Sequence, residues 1–506
     1  MPALLDRLAA LRRAARARDR YAAFVEGVEP DLAARPRVHR FAAPPAIGDA
    51  GARGEPIAVC IEPQEGGDAA ATLASLQRQT VAPGSVIEGM ASDALGGVRA
   101  DRVLLLVAGD ELAPVALERL GQAAALAPDA GLITFDEDRL DADGERRDPV
   151  IRPGPSPDAL AERDVAGSSF VVARKAALAA GVEGERHALA RALARSDGTG
   201  QAHLPLVLRH AALPPSPPVP TAVGGALGRE PEVEVIVCFR DRPDLLRRSV
   251  RSLLDVTAWD RLRVRLVDNG SASPATARLV EELAREDRVA ASRDERPFNF
   301  AALNNAAAAA SDADVLVFLN NDTEVVEEGW LEALLEHALR PEVGAVAPLL
   351  LRPDGRVQHA GAVLGLHGFA GHPFAGLAPQ RLTPFGAAAD GTRSWLAVTA
   401  ACLVVERGKF AAVGGFDEGF AVAGQDVDLG LRLTAAGQRS LCVAHARVVH
   451  DESASRDPQD IPAGDFARSR ERYGAFRTAG DPFYSPALTL AGTDCALRAP
   501  GEESTR

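Results

Sequence analysis

From residue 233 onward, short apolar runs alternate with segments of helical period. Residues 233–238 read as a buried strand. Residues 243–255 place Leu246, Val250, Leu253 and Leu254 on one helical face, and Pro243 stands near the first turn, where a missing N–H is tolerated. Strand 262–267, helix 274–285 with Ser273 as its expected N-cap, helix 304–310, strand 315–319, helix 327–339 and strand 344–347 follow. Strands alternating with helices predict a parallel α/β sheet with right-handed crossovers. Near the start, Leu4, Leu8, Leu11 and Ala15 recur at helical spacing over residues 4–24. They leave Arg7, Arg12, Arg13, Arg16, Arg18 and Arg20 on the other faces. Such a basic amphipathic helix either lies on an anionic membrane or packs on its own protein with solvated arginines. The second reading is favoured, because the apolar face carries no Trp or Phe.

The pattern also repeats. Leu105-Leu-Val-Ala-Gly-Asp-Glu-Leu112 aligns without gaps on Phe318-Leu-Asn-Asn-Asp-Thr-Glu-Val325, and the same offset places Pro128 on Pro341 and Gly131 on Gly344. Upstream, Ser75, Leu76 and Thr80 match Ser252, Leu253 and Thr257; downstream, residues 171–174 match 404–407. Matches kept in this order indicate two copies of one fold. Proline-rich stretches divide the chain: residues 30–55 read as a linker, and the main boundary falls at residues 213–231. The expected organisation is a basic helix and linker (1–45), a first unit (46–213), a linker (214–231), a second unit (232–475) and a tail (476–506).

Composition bounds the function. With 47% hydrophobic and 25% charged residues, the 506-residue chain is a folded protein rather than a disordered one. A net charge of -14 argues against nucleic-acid binding, which needs clustered cations. No apolar run approaches the roughly 18–20 residues that span a bilayer, and residues 395–405 read as a buried strand. The five cysteines lie far apart, which suits neither a disulfide scaffold nor a zinc site and suggests a reducing compartment. The first residues show no signal-peptide core. A cytoplasmic protein is expected.

In an open parallel sheet, ligands bind beyond the carboxyl ends of the strands. There the second unit carries Arg240-Asp241-Arg242, then Asp268-Asn-Gly-Ser271, then Asn320-Asn-Asp322-Thr323. Asp, Asn and Gly favour turns in any case, but three such clusters on one edge point to a site. Neither a dinucleotide glycine fingerprint nor a P-loop is present. Asp322 beside Asn320 suits a hard divalent ion that keeps waters and takes further oxygens from a diphosphate. Asp426 opens an apolar-periodic helix, where a carboxylate is often only a cap. His450 reads as either a ligand or a turn residue.

Together, VEVIVCFRDRPDLLRRSVRSLL, LVDNGS, FNFAALNNAAAAASDADVLVFLNNDTEV, GGFDEGF, DVDLGLRL and VVHDESASR resemble a family 2 glycosyltransferase with the GT-A fold. Gln358-His-Ala-Gly-Ala-Val-Leu-Gly365, Gly371-His-Pro-Phe374 and Asp481-Pro-Phe-Tyr-Ser-Pro-Ala-Leu488 resemble a bacterial, rhamnosyltransferase-like subgroup that builds surface polysaccharides. The first copy resembles the N-terminal unit of tandem members. However, Val107, Ala108 and Gly109 occupy its DxD positions, unless a one-residue gap brings Asp110 onto Asp322. Residues 86–89 lack an Asp-Gly-Ser, and residues 184–195 lack an Asp-x-Asp-Leu. The expected fold is therefore α/β: two GT-A-like, Rossmann-like, mostly parallel domains in tandem. The first is degenerate and serves partner contacts, acceptor binding or stability.

The resemblance implies a nucleotide-sugar donor, with Asp241 and Asp268 on the nucleoside; Arg240 and Arg242 read either as phosphate partners or, equally, as solvated surface arginines. It implies Mn2+ or Mg2+ on Asp322, with Asn320 replacing the first Asp of the motif and His450 completing the metal or diphosphate shell. Asp426 matches the catalytic base of an inverting transfer, and Gln425 stands where an acid is common. Asp428 and Trp395 are candidates for acceptor contact, with a core role equally open to Trp395; His359 and His372 remain unassigned. The implied acceptor is a glycan or lipid-linked glycan of O-antigen or capsule type. Peripheral contact with the inner membrane face, a homodimer or a partner glycosyltransferase are compatible with this. The alternatives are a non-catalytic glycan-binding or partner subunit, and an enzyme of the same fold that makes or transfers nucleotides.

Overall fold

The computed structural model describes residues 2–41, 43–49, 54–181, 186–194, 200–212, 227–382, 389–452 and 461–502. Two ten-stranded mixed sheets, one in each half of the chain, carry the fold. The first contains β1 (Arg37–Arg40), β2 (Ala46–Ile47), β3 (Ile57–Glu62), β4 (Ser85–Glu88), β5 (Arg102–Val107), β6 (Glu111–Leu112), β7 (Leu132–Leu140), β8 (Arg146–Val150), β9 (Phe170–Ala173) and β10 (Gln201–Ala211). The second half supplies β11 (Val233–Phe239), β12 (Leu262–Asp268), β13 (Val289–Arg293), β14 (Val315–Leu319), β15 (Thr323–Val325), β16 (Val343–Leu351) and β17 (Val357–His359). It continues with β18 (Val363–Leu364), β19 (Ala370–Gly371), β20 (Thr392–Trp395), β21 (Cys402–Glu406) and β22 (Arg439–His450). Of these, β18 and β19 form a separate hairpin.

The two sheets share one topology. The order β4-β3-β5-β9-β7-β10-β6 in the first is β12-β11-β14-β21-β16-β22-β15 in the second. Each junction also keeps its sense, parallel among the first three strands and antiparallel where β9 and β21 insert. The central strands are apolar on both faces, as a sheet covered on both sides requires: Val103 to Leu106 and Val315 to Phe318 expose essentially nothing. Leu104 lies opposite Val171 as Val317 lies opposite Val404. The downstream sequence match is thus a structural equivalence. Leu112 lies opposite Arg209 as Val325 lies opposite Val448. This ladder leaves no room for the one-residue gap, so Gly109 stands in the place of Asp322.

Several expectations change. Residues 30–55 are not a free linker: they contain the helix Glu29–Ala34 in part, and β1 pairs antiparallel with β10. Residues 395–405 are not one strand, because β20 ends at Trp395, β21 begins at Cys402 and a turn lies between them. The N-terminal helix runs Pro2–Gly27. The side chains of Leu4, Leu8 and Leu11 lie outside the described residues, as does the prolyl stretch 213–226. The helix docks through Tyr21 and Phe24, both buried, while Arg16, Arg18 and Arg20 are exposed. Among the described residues no helix is long and apolar enough to cross a membrane.

The two units are locked together by buried polar contacts. Ser394 N–H donates to Ser156 Oγ at 3.0 Å, and Thr392 N–H donates to Glu162 Oε2 at 2.7 Å. Asp158 pairs with Arg340 at 2.6 Å and with Arg439 at 3.0 Å. The tail closes over the same region, where Arg393 donates to the Phe483 carbonyl and Leu364 N–H donates to Asp481 Oδ2 at 3.0 Å.

Candidate active site

The parallel strands β11 and β12 end side by side, with Phe239 opposite Asp268. Asp268 is buried; its Oδ1 accepts from Ser271 N–H and its Oδ2 from Arg293, both at 2.8 Å. Asp241 Oδ1 accepts the Ala272 and Ser273 N–H groups at 3.0 and 2.8 Å. The expected Ser273 cap is therefore corrected: its side chain makes no capping bond, and Asp241 satisfies these loop donors from across the sheet edge. Asp241 and Arg242 both adopt left-handed backbone (φ 53° and 51°), a strained pair that turns the chain from β11 into the helix Pro243–Val256. Arg240 is exposed at this rim, and Arg242 pairs with Asp244 at 3.4 Å.

Beyond β14, Asn320 N–H donates to the Ala401 carbonyl, and Asn320 C=O accepts from Thr323 Oγ1 at 2.7 Å. This tight turn feeds β15, whose Thr323 lies opposite His450. Asp451 N–H then donates to the Asp322 carbonyl at 2.9 Å. The result brings two buried side chains together, His450 Nε2 and Asp322 Oδ1, 3.2 Å apart. His450 Nδ1 meets no hydrogen-bond partner among the described residues. A carboxylate oxygen and an imidazole nitrogen at this separation suit adjacent positions around a divalent cation with bonds of about 2.1 Å. Among the described residues no group of three or more ligating side chains gathers. Further ligands would have to be water or a bound phosphate.

Asp426 stands in the first turn of the helix Gln425–Ala435, partly exposed. Its Oδ2 accepts from Ala400 N–H at 3.3 Å and its Oδ1 from Val427 N–H at 2.9 Å. Burial pushes its carboxyl above the ordinary range, opposed in part by those amides and by His372. Thr399, the residue before Ala400, directs its N–H to His359 Nε2 at 3.4 Å, and Ala401 takes the Asn320 N–H. One turn, 399–401, thus joins the Asn320–Asp322 segment, Asp426 and His359. His359 and His372, which the sequence reading left unassigned, belong to this cluster. Their signal was the pair of His-Gly neighbourhoods at 359–361 and 371–372.

Two expectations fail. Trp395 is 1% exposed, with the Arg393 guanidinium 4.1 Å over its ring and Gly361 pressed against it so closely that a Cβ there would overlap the indole. It has no open face for a sugar. Asp428 is equally enclosed and pairs with Arg432 at 2.7 Å and Arg472 at 3.5 Å. It braces the helix and has no free face toward an acceptor.

The first unit gives a contrast at four equivalent places. Gly109 stands for Asp322 and, by the same ladder, Ala211 for His450. The β3–β4 pairing, matched on β11–β12, carries Asp268 onto Met90. Gly131 packs on Leu193 as Gly344 packs on Leu433, a helix register that carries Asp426 onto Arg186. Arg186 pairs with Glu62 and donates to the Leu106 carbonyl at 3.1 Å. Arg209 pairs with Asp110 at 2.5 Å and also with Glu137.

Residues 234–366 match the Glycosyl transferase family 2 model. That segment contains Asp241, Asp268, Asn320 and Asp322; Asp426 and His450 follow it. The chain is 40% identical over 454 residues to the O-antigen biosynthesis protein RfbC of Myxococcus xanthus, covering 80% of this chain and 35% of that protein. It is 38% identical over 146 residues to the N-acetylglucosaminyl-diphospho-decaprenol L-rhamnosyltransferase of Mycobacterium tuberculosis, covering 26% of this chain and 45% of that one. The chain therefore matches less than half the length of either relative. Among solved structures it is similar to GalNAc-T7 with UDP, GalNAc and Mn2+ (18% identity, TM-score 0.40, 48% of each chain). It is also similar to the mannosyltransferase PcManGT from Pyrobaculum calidifontis with GDP-Man and Mn2+ (16% identity, TM-score 0.36, 51% of this chain and 68% of that one). The match to the Glycosyl transferase family 2 model thus falls on β11 to β18 of the second mixed α/β sheet, the segment of this chain that is similar to that family.

Proposed function

We propose that this chain is an inverting, divalent-metal-dependent glycosyltransferase that moves a sugar from a nucleotide-sugar to a hydroxyl of a growing bacterial surface glycan. The observation that carries this reading is the 399–401 turn, which ties Asp426 on one side to the Asn320–Asp322 segment beside His450 on the other. An acid, a candidate metal pair and two nucleoside-facing acids thus share one sheet edge. The names of the two relatives support the acceptor class, one an O-antigen biosynthesis protein and the other acting on a diphospho-decaprenol-linked sugar.

In this reading Asp268 and Asp241 accept from ribose or base, and Arg240 lies at the rim where phosphate would pass. Asp322 and His450 would hold Mn2+ or Mg2+, which when bound supplies positive charge where the leaving diphosphate develops negative charge. Asp426 removes the proton from the acceptor hydroxyl as that oxygen attacks the anomeric carbon from the face opposite the nucleotide. General-base help of this kind contributes about 10²–10⁴ in rate. Alignment of the two substrates contributes up to roughly 7–11 kcal/mol more. The first unit has an arginine, a glycine, an alanine and a methionine at the matching positions, and so acts as a non-catalytic brace.

The test is nucleotide release and sugar transfer with Mn2+ and a panel of UDP-, GDP- and dTDP-sugars. Asp322→Ala and Asp426→Asn should both lose transfer. Full turnover in either folded variant would overturn the assignment.

A further inference from the structure

The proposed transfer leaves the acceptor ring without a surface to lie on, since Trp395 and Asp428 are both enclosed. The elements that flank Asp426 supply one. Phe369 stands just before β19, and Phe466 belongs to the helix Ala463–Arg472. Their ring centroids lie 4.9 Å apart at 62°, edge to face, and both residues are partly exposed. Phe369 also lies 5.8 Å from the ring of Tyr473, which is buried. Both phenylalanines lie beyond residue 366, where the family 2 match ends.

Hydrogen bonds fix this pair beside Asp426 from two directions. Asp465, the residue before Phe466, is buried and accepts the N–H groups of Ala421, Val422 and Ala423 at 3.0, 2.9 and 3.0 Å. Tyr473, just past the end of the same helix, donates its hydroxyl to the Gly424 carbonyl at 3.1 Å. The helix is thus clamped near both ends to residues 421–424, and Asp426 stands two residues further along. Phe369 is set by its hairpin, where its carbonyl accepts Gly365 N–H and the His367 N–H donates to the Leu490 carbonyl, both at 2.9 Å. Three residues on, His372 Nδ1 lies 2.9 Å from His359 Nδ1. His359 in turn meets Thr399 N–H, whose neighbour Ala400 N–H reaches Asp426 Oδ2.

Rings that only sealed this helix onto the hairpin would be as enclosed as Phe416 and Phe420 close by. The open surface left here is the size of a ring pair, and Arg470, one helical turn beyond Phe466 on the same face, is exposed. A small aromatic face with a charged rim suits a sugar ring, whose C–H face is apolar and whose hydroxyls point outward. A polyprenyl tail would need a longer apolar groove.

We propose that Phe369 and Phe466 form the aromatic wall of an acceptor subsite, against which the pyranose that carries the attacked hydroxyl lays its C–H face while that hydroxyl turns to Asp426. The proposal rests on the reading of Asp426 as the base.

The first test needs no catalysis. Saturation-transfer NMR of the full chain with the methyl glycosides of glucose, galactose, rhamnose and N-acetylglucosamine should show transfer to ring C–H protons of at least one of them. Phe466→Leu keeps apolar bulk and should lose that transfer; Phe466→Tyr should keep it. No transfer to any glycoside in wild type, or equal transfer in Phe466→Leu, overturns the wall. The second test is kinetic, with the panel of UDP-, GDP- and dTDP-sugars as donors and the same glycosides as acceptors. Phe466→Leu should raise the acceptor KM by about 2- to 10-fold, the worth of an aromatic contact, with the donor KM unchanged, and Phe466→Tyr should restore it. A packing role alone would be met by leucine, and would shift the unfolding midpoint rather than the acceptor KM. If Asp426→Asn is inactive while Phe466→Leu keeps the wild-type acceptor KM, the wall is refuted and the base assignment stands. If Asp426→Asn keeps full turnover while glycoside contact depends on Phe466, the base assignment falls and the subsite stands.

Discussion

Removal of the Asp158 carboxylate should loosen the two units more than any surface substitution. Asp158 belongs to the first unit and is 4% exposed. Its two partners, Arg439 at 3.0 Å and Arg340 at 2.6 Å, belong to the second. In Asp158→Ala, Arg340 keeps Glu342 at 2.9 Å and has 30% of its side chain in solvent, so it rehydrates cheaply. Arg439 has no exposed surface; Glu342 lies 3.9 Å from it, and the Phe41 ring faces its guanidinium. Breaking a buried pair from one side in this way costs about 3–5 kcal/mol, mainly because the remaining charge stays desolvated. The double variant Asp158→Ala/Arg439→Met removes that charge as well and should regain much of the loss, a coupling of roughly 0.5–3 kcal/mol. The assay is urea unfolding of the full chain, read at the midpoint of its first transition, since a chain of two units need not unfold in one step. The sign with pH is fixed: burial raises the Asp158 carboxyl, but Arg439 and Arg340 outweigh it and hold the group below its ordinary range. Its stabilisation is complete above the unfolded value of about 3.9 and disappears as pH falls through the lowered folded value. A cost under about 1 kcal/mol for the single variant, or strict additivity in the double, would refute the argument.

Asp426→Asn should lower kcat by about 10²–10⁴ and yet unfold no earlier than wild type at neutral pH. Burial raises this carboxyl, so its ionisation costs stability as pH rises from the unfolded toward the folded value, and the amide is spared that cost; a clearly destabilised variant would contradict this. Transfer by wild type should stop with a chelator and return with Mn2+, and Asp322→Ala should not recover; chelator-resistant turnover would remove the metal from the reading. Gly430→Ala should destabilise the protein by roughly 1–3 kcal/mol in thermal unfolding, against the gain of about 1 kcal/mol that alanine normally brings to a helix interior. The added Cβ would lie 2.5 Å from the Leu396 carbonyl and 2.8 Å from Ala397 Cβ, displacing the helix that carries Asp426. Asp110→Asn should weaken the first unit without changing transfer kinetics, and a fall in kcat at unchanged stability would give that unit a catalytic part.

The legible parts of the fold were those with strong local signals. Strands 233–238, 262–267 and 315–319 match β11, β12 and β14 to within a residue, because buried parallel strands are continuous apolar runs. The helix expected at 304–310 begins at Phe300, capped by Asn299 accepting from Ala302 N–H; flanking phenylalanines masked that signal. Strand β13 has the burial pattern of an edge, one buried residue followed by four exposed, and so carries no apolar period. Strand β15 is three residues long and exists only because β22 pairs with it. Of the candidate site, residues beyond strand ends were readable from topology alone. The parts that were not readable depend on distant segments meeting: Trp395 looked available until Arg393 and Gly361 covered it, and Asp428 until Arg472 reached it from the following helix. The histidine pair needs the 399–401 turn, which sequence read as the middle of a strand.

The two units answer the same electrostatic problem in opposite ways. Sheet topology drives acids to converge at strand ends, where they repel one another and lose water. In the first unit the chain supplies its own cations. Arg152 and Arg209 hold Glu137 below the ordinary carboxylate range although burial raises it, Arg209 also covers Asp110, and Arg186 reaches across to Glu62. In the second unit, Arg293 meets Asp268, but the place of Arg186 is taken by Asp426, and that carboxyl is pushed up rather than down. A unit selected only for stability has every reason to neutralise such groups, and identical strand order shows that the framework tolerates doing so. Asp426, left without a built-in arginine on a framework that holds Arg186 at the matching place, fits the proposal that this edge takes compensating charge from a bound ligand. That asymmetry between sheets of one strand order supports the proposal that the chemistry belongs to the second unit.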